Sequence, residues 1–474
     1  MVFSSQIFLF YFLPLALAAY FLAPVPARQL VLAALSYGFY GWSNPAFMGL
    51  MFLSSLIDYT CGWVIGRANA GPGDAMPRDR TRRAALMTSI ISNLSLLGFF
   101  KYFNFAADNY RALTDWLGIS SGTTDFALEV TLPLGISFYT FQSMSYTIDI
   151  YRGDARPIRN LVDFLCYVSM FPQLVAGPIV RFQTVADQIH RRSHTVTKFA
   201  RGTAIFCLGL GKKVLLANPC GKVADMAFSA SALNPLEAWV GAVAYAFQIY
   251  FDFSGYSDMA IGLGLMLGFS FPVNFSSPYR ARSVTDFWRR WHISLSTWLR
   301  DNLYIPLGGN RLGVGRTYRN LATVMLLGGL WHGASWNFVL WGGVHGMLLA
   351  AEKMLSGFRW KIPGGAGIAG TFLLVTLAWV FFRAEDLPEA MGFFAALFGA
   401  GGGSSAGLVS GVIFQPYYLC AMFVAAFVIW TQPTTLTWTR RMGWAKILWV
   451  LAIFWMSVAS LTVQSFNPFI YFIF

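Results

Sequence analysis

Apolar residues gather into long runs along the whole chain, separated for the most part by short polar connections. The clearest runs cover residues 7–22, 47–65, 84–100, 372–382 and 447–463, and several approach the roughly 20 residues that a bilayer crossing requires. Shorter stretches such as 393–398 fall below that length. The pattern predicts an all-α, polytopic membrane protein with about 11 transmembrane helices, give or take two, together with re-entrant or interfacial helices, some of the spans being tilted or broken. The first run lacks a basic segment before it and ends in Ala-Pro-Val-Pro without a small-residue cleavage site, so it is expected to stay as a first helix. No repeat of 20 to 50 residues and no soluble domain-sized insert interrupts the runs, so residues 1–474 are expected to form a single integral-membrane domain.

Composition agrees with the pattern. The 474 residues are 56% hydrophobic and 12% charged, whereas a soluble chain carries about a quarter charged residues. The five cysteines are scattered in mostly apolar sequence, without ligand spacing, and are expected to pack as small apolar side chains. A net charge of +13 raises the question of nucleic acid, but the basic residues sit in connections between apolar runs, where they orient the chain in a membrane. Nucleic-acid binding is excluded on that ground. The basic connections 67–83, 151–159, 181–201 and 278–319 are expected to face the cytoplasm. Only residues 160–180 separate the second from the third, so this segment has to enter the bilayer and return, which Pro172, Gly177 and Pro178 permit.

One connection is too long to be a simple loop. Residues 274–320 are polar and basic yet rich in aromatic side chains, and within them 283–303 reads as a helix placing Thr285, Trp288, Arg289, His292, Ser296 and Leu299 along one face. An interfacial amphipathic helix and a functional element are both compatible with that face. Pro306, Gly308, Gly309, Gly313 and Gly315 then break the helix and allow a re-entrant hairpin.

Ionisable groups in apolar sequence are costly and become candidates for chemistry. His190 and His194 lie among arginines in a polar loop and read as solvated surface, and the arginines would repel a metal ion held at their HxxxH spacing, so no metal site is expected. His332 is different. It lies with His345 in residues 321–349, which hold no charged side chain. At about 100° per residue, Ser335 and Trp336 share its helical face, while His345 points elsewhere if the helix is straight. An imidazole held out of water stays neutral and can accept a proton, which suits a general base; a structural histidine hydrogen-bonded between helices is the alternative. Upstream, Asp252, Ser254, Tyr256 and Asp258 interrupt another apolar run, and the two acids are expected to pair with arginines such as Arg289 or Arg290, or to line a water-filled cavity.

The run WRRWHISLSTWLRD, followed about 40 residues later by GGLWHGASWNFVLWG, resembles the membrane-bound O-acyltransferase family, in its bacterial branch that includes alginate O-acetyltransferases. MVFSS at the start, LPLGISFYTFQSMSYTIDIYRGD from Leu132, FPQLVAGPIVRF from Phe171 and IYFDFSGYSDMAIGLG from Ile249 extend the likeness over most of the chain, weakening after about Ala350. The resemblance implies transfer of an acyl group through the membrane to an acceptor hydroxyl, with the catalytic region at about 249–350. His332 matches the family's catalytic histidine and His292 its second polar position, which other branches often fill with asparagine. The branch further implies acetyl-CoA as a donor substrate rather than a resident cofactor, the bacterial inner membrane as the setting, and relay of the acetyl group to a periplasmic or membrane-anchored acyltransferase partner that modifies an exopolysaccharide such as alginate. Arg289, Arg290 and Arg300 are expected to hold donor phosphates. Trp298, Trp331, Ser335, Trp336, Asn337, Asp252 and Tyr256 complete the candidate donor and substrate contacts. A transporter or flippase, or a non-catalytic scaffold of an export complex, are the competing readings.

Overall fold

In the computed structural model, residues 2–42, 44–70, 75–118, 129–355, 363–400, 407–464, 467 and 470 are described, and every regular element among them is helical. Four helices are long and apolar enough to cross a membrane, Ala46–Ala68, Asp79–Trp116, Gly364–Arg383 and Trp444–Val463, with Phe8–Leu22, Leu387–Leu397 and Pro416–Thr431 as shorter apolar helices. The chain divides into two compact units, one of residues 1–199 and 264–271, the other of residues 200–263 and 272–474.

The first unit holds α1 (Leu13–Leu22), α2 (Arg28–Gly41), α3 (Ala46–Ala70), α4 (Ala75–Trp116), α5 (Ile136–Arg152), α6 (Leu161–Ser169), α7 (Phe171–Leu174) and α8 (Phe182–His190). Its centre is polar. Asp58 of α3 is fully buried and accepts hydrogen bonds from Ser89 Oγ (2.6 Å) and Asn93 Nδ2 (2.8 Å) of α4 and from Ser143 Oγ of α5, so one carboxylate ties three helices together. In an apolar surround such a group persists only because each of these donors meets it. The segment expected to dip and return consists of α6 and α7, both too short to cross a bilayer. Several of its polar groups find partners within the protein: Tyr167 Oη donates to the carbonyls of Gln142 and Val180, and Gln173 Nε2 to that of Tyr167. His194 departs from its solvated reading. Its Nε2 lies 2.9 Å from Tyr20 Oη and 3.2 Å from the Leu267 carbonyl, and burial, then Arg192 and Arg28, hold the ring below the usual histidine range.

α9 (Val196–Gly211) passes from the first unit into the second, which adds α10 (Asn218–Phe228), α11 (Pro235–Met266), α12 (Val284–Trp288), α13 (Ile293–Leu299), α14 (Val314–His332), α15 (Trp336–Leu355), α16 (Gly364–Arg383), α17 (Leu387–Leu397), α18 (Gly407–Ile413), α19 (Pro416–Thr431), α20 (Thr435–Trp438) and α21 (Trp444–Val463). Two sequence expectations are corrected here. Residues 283–303 are not one helix: α12 ends at Trp288, a tight turn brings His292 to φ 43° and ψ 53°, α13 restarts at Ile293, and a π-helical turn follows at Arg300–Tyr304. The run 321–349 is not straight either. α14 stops at His332, Gly333 is extended, and α15 returns antiparallel beside it, so Ser335 and Trp336 leave the face of His332 and Trp336 is 58% exposed.

Glycine explains the second correction. A Cβ on Gly329 would overlap the Phe338 carbonyl, and one on Gly342 would overlap that of Met325, so the two backbones approach as closely as only glycine allows. Replacing Gly329 with Ala is expected to lower the thermal midpoint of the detergent-purified chain and to reduce turnover by displacing the end of α14. A variant with wild-type midpoint and turnover would show that the hairpin tolerates a wider spacing.

Candidate active site

α13, α14 and α15 enclose a cavity of about 800 Å³. On α14 it is lined by Leu321, Val324, Met325, Gly328 and His332, which follow one helical face over about 16 Å at 1.5 Å per residue. Because α15 runs antiparallel, Trp341 faces the His332 end, while Leu349, Glu352 and Lys353 face the other. Arg289, Arg300, Tyr304 and Asn310 also border the space. Glu352 and Lys353, at the end of α15, therefore lie at the end of the cavity away from His332. Arg289 has no ion pair among the described residues, whereas Arg300 is held by Asp301 at 2.6 Å, and Glu352 accepts from the Thr285 amide at 3.0 Å.

His332 is 6% exposed and is boxed by rings. Trp331 lies at 5.0 Å, Trp341 at 5.2 Å and Phe382 at 5.3 Å between centroids, each edge to face. The broken helix brings His292 to 6.3 Å from it. His292 is fully buried between Phe253 (4.7 Å) and Trp331 (5.9 Å), and Ser294 Oγ stands 3.5 Å from its Nδ1. Asn274 sets this turn: its carbonyl accepts from the Ile293 amide at 2.9 Å and its Oδ1 from Ser294 Oγ at 2.9 Å. The two imidazoles proposed from sequence thus stand side by side, and His332 opens on the cavity. His345 is not remote from this group, for it flanks the other edge of Trp341 at 4.8 Å and accepts from Trp288 Nε1 at 3.3 Å.

Other predicted contacts lie elsewhere. Arg290 pairs with Asp286 at 2.8 Å rather than facing the cavity, and Asn337 Nδ2 donates to the Ala384 carbonyl at 2.8 Å. Trp298, Trp331 and Tyr256 are buried in the packing, and the cavity wall is built by other residues. Asp252 and Asp258 do not pair with arginines. Lys213 Nζ sits 2.6 Å from Asp252 and Lys212 Nζ 2.6 Å from Asp258, the lysines standing on the π-helical turn Lys212–Ala217 ahead of α10. Asn274, Tyr304, Asn310, Trp341, Glu352 and Lys353 were not among the residues singled out from sequence. Only the Glu352-Lys353 pair, charged residues closing an apolar run, left a signal there.

The chain belongs to the membrane-bound O-acyltransferase family, whose model matches residues 88–382. It is a multi-pass membrane enzyme of the O-acyltransferase class. A probable alginate O-acetylase of Azotobacter vinelandii is 42% identical over the whole of both chains. A protein of the same description from Pseudomonas aeruginosa is 47% identical over 85% of this chain and 75% of its own. A peptidoglycan O-acetyltransferase of Helicobacter pylori is 36% identical over 85% of this chain and 80% of its own. These relatives are named as enzymes, not as transporters or scaffolds.

Proposed function

We propose that this chain takes the acetyl group of acetyl-CoA from the cytoplasmic side of a bacterial inner membrane and passes it toward a periplasmic acceptor, for O-acetylation of an exopolysaccharide such as alginate. The observation that carries the reading is the cavity itself, which runs along α14 from His332 toward Glu352 and Lys353 and is also bordered by Arg289 and Arg300. Its length suits an extended thiol arm. Arg289, Arg300 and Lys353 are the lining groups that can meet phosphate, the arginines through paired N–H donors. The names of the relatives, alginate O-acetylase and peptidoglycan O-acetyltransferase, both describe acetyl groups placed on glycans.

In the chemical step, neutral His332 takes the proton of the acceptor hydroxyl as its oxygen attacks the thioester carbonyl. The C–S bond then breaks, and the thiol leaves with a proton returned by the imidazolium. His292 is a positioning residue. The described part of the chain offers no soluble segment with a Ser-His-Asp arrangement to carry a polysaccharide, so a periplasmic or membrane-anchored acyltransferase partner completes the transfer.

Steady-state kinetics with acetyl-CoA and with acetyl-pantetheine, which lacks the nucleotide phosphates, test the donor assignment. Arg289→Ala and Arg300→Ala are expected to raise the KM for acetyl-CoA by about tenfold with a smaller change in kcat, as for contacts equal in ground and transition states, and to leave acetyl-pantetheine nearly unaffected. Equal effects on both donors would remove the phosphate role, and no thioester cleavage with either donor would remove acetyl-CoA as the donor.

A further inference from the structure

Seven arginines that take no part in the acyl-transfer cavity converge in the first unit. Arg67 closes α3, and Arg80, Arg82 and Arg83 lie in the first turns of α4. Arg152 closes α5, while Arg156 and Arg159 follow in the connection to α6. These segments are fastened to one another. Arg82 Nη2 donates to the Tyr151 carbonyl at 2.7 Å, with its guanidinium 4.8 Å from the Tyr151 ring, and Tyr59 Oη donates to the Arg159 carbonyl at 2.7 Å. Gly66 packs so closely on Pro157 that a Cβ would overlap its ring. The convergence is therefore built by the fold, not a chance meeting of loose loops.

Charge on this face is strongly one-sided. The acids on or beside these described segments are Asp79, which pairs with Arg83 at 2.8 Å, Asp154, and buried Asp149, which accepts from the Gln183 amide at 3.1 Å. Arg82 Nε finds no acceptor among the described residues although the atom is buried. Arg67 lies 3.7 Å above the ring of Trp63, which is itself 42% exposed. A tryptophan facing outward one turn inside the end of a bilayer-length helix, stacked under an arginine, is the arrangement that places a ring at headgroup depth and a guanidinium among phosphates.

We propose that this face is a binding surface for anionic phospholipid headgroups, of the phosphatidylglycerol type. It lies at the end of α3 and the start of α4, the two described helices of the first unit long and apolar enough to cross a membrane, on the side to which the arginine excess assigns the cytoplasmic leaflet. The ligand is recognised by its phosphate through paired guanidinium donors and by its acyl chains along Trp63. Such a surface fixes the depth and tilt of α3 and α4, which meet around buried Asp58.

The full chain in neutral detergent, titrated with brominated lipids, provides the test. The quenching assigned to Trp63 is the difference between wild type and Trp63→Phe. Brominated phosphatidylglycerol is expected to quench this component at roughly tenfold lower concentration than brominated phosphatidylcholine, an advantage that 0.5 M salt diminishes. Inorganic phosphate and glycerol phosphate are expected not to compete, which separates a lipid surface from a free-phosphate site. Combined Arg80→Gln, Arg83→Gln and Arg156→Gln substitution should abolish the preference while acyl transfer in the solubilised chain continues. Equal quenching by the two lipids in wild type would overturn the proposal without recourse to any variant. So would a preference that survives the triple substitution or high salt, and competition by free phosphate would assign the face to a soluble anion instead.

Discussion

His332→Ala is expected to reduce acetyl transfer by about 10²- to 10⁴-fold, the range over which a positioned general base contributes, while leaving the thermal midpoint close to wild type. The side chain sits at the last residue of α14 among Trp331, Trp341 and Phe382, so truncation removes the base but not the packing that ends the helix. Labelled acetyl-CoA turnover by purified wild type and variant, at matched folding, is the measurement; equal turnover would rule out His332 as the base. His292 supplies a graded control. Its backbone is left-handed, at φ 43°, a conformation that asparagine tolerates better than most residues. His292→Asn should therefore keep the turn and much of the activity, whereas His292→Val should lose both, because a β-branched residue strains there. If Asn and Val behave alike, the role of position 292 is neither conformational nor polar.

The uneven legibility of this site in the sequence has a physical cause. His332 was visible because a lone ionisable group in 321–349 has no local reason to be there, and its surroundings carry no charge. The turn after it was not visible. Gly333 alone cannot distinguish a hairpin from a straight helix, since what stops α14 is the fit of Gly329 and Gly342 against the carbonyls of the opposite helix, a tertiary property. The break that brings His292 toward His332 is set by Asn274, eighteen positions earlier, and periodicity within 283–303 contains no trace of it. The same limit explains Asp252 and Asp258. The acids were recognisable as needing partners, but Arg289 and Arg290 were the wrong ones, and the lysines that meet them lie about 40 residues upstream. Arg289 and Arg300, proposed from their chemistry, do border the cavity, and Lys353, which borders it too, follows the apolar run that drew attention to His332.

Asp252→Ala is expected to be the most destabilising single change in the second unit. Asp252 is 1% exposed and Lys213 is 2% exposed, at 2.6 Å, so removing the acid takes a close opposite charge away from a buried ammonium. Breaking a buried pair in this way costs about 3–5 kcal/mol, where a surface pair would cost less than about 1. Asp252 also accepts the Ile470 amide at 3.0 Å, so the change also removes the contact of Ile470 with α11. Lys213→Met should be nearly as damaging for the converse reason. The double change Asp252→Leu with Lys213→Met should recover much of the loss, because it removes both desolvated charges and keeps apolar volume. Thermal midpoints and yields of wild type, Asp252→Leu, Lys213→Met and the double variant in one detergent form the cycle. Additive losses would mean that the two groups are not coupled. Coupling with activity restored in the double variant would make the pair structural, and coupling with stability restored but activity still absent would place the pair in the transfer chemistry.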